Sequence, residues 1–105
     1  MSVTITAQLD AIDALAVELT LLAAELGEDA RLCRSTAAAL GTSVTGETGE
    51  RAGAAGTGWG SVLDLVAGHT GRLATTLHEA VASYRMTDAV LADRVLERRG
   101  GTAPR

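Results

Sequence analysis

Along residues 4–40, apolar side chains recur in alternating steps of four and three: Ile5, Leu9, Ile12, Ala16, Leu19, Ala23, Leu26, Ala30, Cys33, Ala37 and Leu40. That period keeps one stripe of a helix turned towards a partner, so the run predicts a long helix with an association seam. Leu15 and Leu22 widen the stripe. Gly27 lies inside the run, and glycine costs a helix roughly 1 kcal/mol relative to alanine, which makes this the point where the helix can kink or break. Residues 59–98 repeat the pattern through Trp59, Leu63, Val66, Thr70, Leu73, Leu77, Ala80, Tyr84, Thr87 and Leu91, flanked by Val62, His69, Thr76 and Val90. Residues 41–58 hold six glycines and almost no bulky apolar residue, which predicts a flexible loop. Residues 99–105 are expected to be a disordered tail, with Gly100 and Gly101 ending the second helix.

Two helices of this length, each roughly 55 Å long at 1.5 Å per residue, should fold back on one another. The expected fold is all-α: an antiparallel two-helix hairpin forming a single domain over residues 1–105. The residues expected to carry association are Leu9, Ile12, Leu19, Leu26, Leu63, Val66, Leu73, Leu77 and Leu91. A hairpin buries one stripe per helix, and the stripes here are wider than that. The surplus predicts a partner, most simply a second hairpin completing a four-helix bundle with coiled-coil packing.

Composition narrows the function. With one Trp, one Tyr and no Phe, aromatic packing cannot carry the core, and Ala, Leu and Val suit helices that approach closely. The net charge of -4 argues against nucleic acid, whose affinity comes from neutralising phosphates. The longest apolar stretch is interrupted by Glu18 and Glu25, so no transmembrane segment is expected. The sequence MSVTITAQLD has no basic segment followed by an apolar core, and no cleaved signal peptide is expected. The chain is therefore expected either to remain in the cytoplasm or to leave by a route that exports folded proteins.

Candidate chemistry is sparse. His69 and His78 are nine residues apart and fall on different helix faces, and neither has a second ligand at helical spacing. Cys33 lies on the first seam as a small apolar filler, with an intermolecular disulfide as the alternative. The glycine-rich segment lacks the GxxxxGK[ST] pattern of a phosphate cradle, and the chain has no Lys at all. No catalytic set, metal site or cofactor is expected, and the protein is not expected to be an enzyme.

Two local motifs carry a family likeness. The first is GWGS, with Gly58, Trp59 and Gly60 expected at the turn into the second helix; the second is YRMTD, with Tyr84 and Asp88. A helical hairpin of about this size, with Trp-Gly at the turn and Tyr-x-x-x-Asp late in the second helix, resembles the WXG superfamily of small proteins handled by type VII secretion systems. YRMTDAVLA after an Ala/Leu-rich helix looks closest to the EspC-like branch. The family turn motif is Trp-x-Gly, and Ser61 stands here in the Gly position. Nine basic residues, all Arg, fit a GC-rich actinobacterial genome. The resemblance implies a non-enzymatic secreted substrate or partner of a type VII system. Such a protein would be cytoplasmic before export and then secreted or at the cell surface, as a homo-oligomer or paired with another helical secretion partner. Tyr84 and Asp88 are then a secretion motif; they share one helix face at i and i+4, although Tyr84 also fits the core seam. Trp59 fits either a cap on the hairpin or part of a recognition surface. The alternative function is a cytoplasmic adaptor for the helical N-terminal domain of a larger toxin. A surface-active coating protein is a third reading.

Overall fold

A computed structural model describes residues 3–102, with side chains up to Arg99. It contains two helices, α1 (Val3–Ser43) and α2 (Glu47–Thr102), packed against each other as a hairpin. No strand occurs among the described residues. α1 runs unbroken through Gly27, so the helix does not break there.

The connection is much shorter than the glycine content suggests. Only residues 44–46 are non-helical, and residues 47–58, expected to be loop, form the first turns of α2. Three features explain this. Gly46 takes the left-handed conformation that reverses the chain, with φ 84°. Glu47 and Glu50 lie in the first turn of α2, where the helix dipole favours negative charge, and Glu47 accepts a 2.7 Å bond from Arg51 one turn later. The glycines at 49, 53, 56 and 60 all line the inner side of α2. They permit close contact with α1, which offsets their poor helix propensity. At the other end, α2 continues through residues 99–102, expected to be tail; residues 103–105 lie outside the described residues.

Small residues form the contact between the helices. The buried apolar positions are Leu9, Ala16, Ala30 and Ala37 on α1, with Ala74 and Val81 on α2. A side chain at Gly56 would place its Cβ 2.7 Å from that of Ala37, and one at Gly60 would sit 3.2 Å from the Ala30 carbonyl oxygen. The helices therefore come close along a line of alanine and glycine, where backbone and small side chains make the dispersion contacts, with leucines packed beside it.

In the α1 seam the positions from Ala16 to Ala37 are buried or half-buried, whereas Ile5 and Leu40 are exposed; on α2 the buried line is shifted. Leu9 is buried on α1, with Leu19, Leu26 and Cys33 half-buried. On α2, Leu63, Thr70 and Leu77 are half-buried as expected. The other half of the α2 seam runs through Gly60, Ala67, Ala74 and Val81, one residue on from Trp59, Val66, Leu73 and Ala80. Val66, Leu73 and Leu91 are exposed, as is Ile12 at the edge of α1. The alanine line of α1 has room for small side chains opposite it, and the bulky ones are turned out.

Candidate functional site

The two long sides of the hairpin differ in chemistry. One carries the ion pairs that link the helices. Arg34 pairs with Asp64 and also donates to the Gly60 carbonyl oxygen at 3.4 Å. Arg85 reaches Asp10 and, at 3.5 Å, Asp13. His78 Nδ1 lies 2.7 Å from Asp13 Oδ1. Asp13, Arg34, Asp64, His78 and Arg85 all occupy the same heptad position relative to the buried line of their helix, which places every one of these pairs on one side. The pairs are partly exposed and contribute little energy each, but they fix the register of α1 on α2.

The opposite side is apolar across both helices. From α1 it carries Ile5, Ile12, Leu15, Leu22 and Leu40, and from α2 Trp59, Val66, Leu73, Tyr84 and Leu91, all exposed. Two shallow grooves mark its ends. Near the turn, Leu32, Cys33, Leu40, Gly56 and Trp59 line one of about 260 Å³. At the far end, Ile5, Leu9, Tyr84, Thr87, Asp88 and Leu91 line one of about 300 Å³. Large contiguous apolar patches are uncommon on the surfaces of monomeric proteins.

The motif residues fall on this side in unexpected ways. Gly58, Trp59 and Gly60 lie within α2 and not at a turn. Gly60 is buried against α1 and Gly58 faces open space, while Trp59 stands 64% exposed between them. Trp59 therefore does not cap the hairpin. Tyr84, expected on the seam, is 68% exposed. Asp88, expected one step off the seam and in solvent, is half-buried at the seam position seven residues after Val81, and it is not an unpaired carboxylate. Tyr84 and Asp88 do share the far-end groove, as their i, i+4 spacing requires.

His69 is exposed, and Cys33 is a free, half-buried thiol. No cluster of three or more His, Cys, Asp or Glu side chains able to hold a metal ion occurs among the described residues. Among those residues, no helix is long and apolar enough to cross a membrane. Sequence reasoning missed the Asp13–His78 and Arg34–Asp64 pairs, because partners so far apart in the chain meet only once the helix register is known. Compared with known proteins, the chain matches no family model, no curated protein and no solved structure.

Proposed function

We propose that this chain is a non-enzymatic, type VII secretion-associated protein, a secreted substrate or partner, that acts by helix–helix association. The observation carrying the reading is the exposed apolar surface that spans both helices opposite the cross-helix ion pairs, with Ile12, Leu15 and Leu22 from α1 and Trp59, Val66 and Leu73 from α2; Val17 and Leu21 are exposed as well, in a groove shared with His78. A two-helix layer with one apolar side is half of a four-helix bundle. The secretion context rests on the resemblance of Tyr84 and Asp88, set late in a second helix, to the motif of EspC-like proteins. In this reading the far-end groove presents an aromatic ring beside a carboxylate to the export machinery.

The test is export from a host carrying a type VII system, with and without its secretion ATPase. The expected result is protein in the culture filtrate that disappears when the ATPase is removed. Retention in the lysate under both conditions overturns the reading of a secreted substrate. Retention together with a larger secreted protein bound through the apolar side favours the adaptor role.

A further inference from the structure

We propose that the free end of α2 docks on an anionic lipid surface. α2 spans 56 residues against 41 for α1, and both helices start from the same turn. Arg85 pairs with Asp10, which lies two helical turns from Val3, so α2 outruns the first described residue of α1 from about residue 92 onwards. Roughly 15 Å of helix, up to Thr102, then stands without a neighbour among the described residues of α1. The groove along it, of about 470 Å³, is lined by Leu91, Arg94, Val95, Glu97 and Arg98, all from α2.

This end differs in chemistry from the rest of the chain. Residues 1–90 carry five arginines against eleven acidic side chains, whereas Arg94, Arg98 and Arg99 fall within six residues. At 3.6 residues per turn, these three arginines, Leu91 and Val95 share an arc of roughly 140°. Asp93 and Glu97 lie outside that arc, with Glu97 bordering Arg94. Leu91 and Val95 are about half exposed and sit between the arginines. Cationic heads on long stems beside aliphatic side chains suit the boundary between headgroups and acyl chains. There the stems and aliphatic groups bury while the guanidinium groups reach the phosphates. A nucleic acid or a soluble anion would use the charge and leave Leu91 and Val95 in water.

The remainder of the chain dictates how contact is made. An anionic surface repels the acidic body and attracts the arginine face, so the 91 Å rod meets the surface by this end. Each arginine close to such a surface raises the partition coefficient about fivefold, and three raise it on the order of a hundredfold. The docking is therefore reversible and sensitive to salt. It requires neither export nor a partner helix.

Co-sedimentation of the full chain with vesicles tests the docking. The vesicles are phosphatidylcholine alone, or phosphatidylcholine mixed with phosphatidylglycerol, at about 0.1 M and about 0.5 M salt. The protein should pellet with the anionic vesicles at the lower salt, leave them at the higher, and ignore pure phosphatidylcholine. Arg94→Gln and Arg98→Gln should each lower the partition about fivefold, and Val95→Ser should lower it as well. Arg72→Gln is the control. Arg72 is exposed on the body, roughly 33 Å from Arg94 along α2 and about three screening lengths away at 0.1 M salt, so its loss should leave binding unchanged. All four positions are exposed, and circular dichroism checks that helix content is the same in each variant. Equal pelleting with both vesicle types, no pelleting with anionic vesicles, or equal losses for Arg72→Gln and Arg94→Gln overturns the proposal. Release from the vesicles by millimolar glycerol phosphate marks a site for a soluble anion and overturns the lipid surface as occupant. Binding to polyglutamate without binding to vesicles does the same in favour of an acidic protein.

Discussion

Replacing Gly56 and Gly58 by alanine, one at a time, should change stability in opposite directions although the two positions are two residues apart in the same helix. At Gly58 an added Cβ meets nothing within 4 Å. The substitution brings only the better helix propensity of alanine and should stabilise the hairpin by about 0.5–1 kcal/mol. At Gly56 the same propensity gain applies. The new Cβ, however, would lie 2.7 Å from the Ala37 Cβ and 3.2 Å from the Cys33 carbonyl oxygen. Neither atom belongs to a flexible side-chain end, so the helices must move apart, and overpacking of this kind costs about 1–3 kcal/mol. The net effect at Gly56 is a loss of roughly 0–2 kcal/mol, and the two variants should differ by about 1–3 kcal/mol. In a domain of this size each kcal/mol moves the melting temperature by about 4 °C, so the gap is well resolved by thermal unfolding followed by circular dichroism. Protein concentration must be equal in all samples, because association adds to apparent stability. Equal stabilisation by both substitutions would refute the close-packed glycine–alanine contact.

Arg85→Gln removes the pairings to Asp10 and Asp13 on a partly exposed surface and should cost no more than about 1 kcal/mol, a difference that shrinks at high salt when melting temperatures are compared at low and high ionic strength. Asp88→Asn at a half-buried seam position should destabilise by about 1 kcal/mol, more than the 0.5 kcal/mol typical of a surface site; an unchanged melting temperature would contradict its place in the seam, and any export defect must be judged beside that value. Trp59, the chain's one tryptophan, should emit as a water-exposed indole at high dilution and shift to shorter wavelength as the protein associates; an emission maximum independent of concentration would place Trp59 outside the interface.

The seam of α1 was legible because Ala16, Ala23, Ala30 and Ala37 repeat every seven residues within an otherwise clean heptad. The seam of α2 was half legible. Hydrophobicity favours Trp59, Val66 and Leu73, whereas close packing against an alanine line selects Gly60, Ala67 and Ala74 one residue on. The matching seven-residue repeat of small residues in both segments held that information. The glycines of residues 41–58 misled for a related reason. Glycine signals flexibility when solvated, but Gly49, Gly53, Gly56 and Gly60 follow steps of four, three and four, the spacing of a helix face. The apolar surplus was legible as a wide stripe, while the position of that stripe opposite the cross-helix pairs of Asp13 and Arg34 was not, because no local pattern encodes those pairs.

Sedimentation equilibrium of the wild type beside Leu73→Glu tests the association face most directly. Leu73 is half exposed on the apolar side and outside the contact between α1 and α2, so a carboxylate there should leave the hairpin folded and make burial against a partner costly. The wild type should sediment at twice the chain mass at micromolar concentration, and Leu73→Glu should be a monomer with an unchanged helical spectrum. A wild type that remains a compact monomer, or a Leu73→Glu variant that still associates, would contradict the assignment of this face.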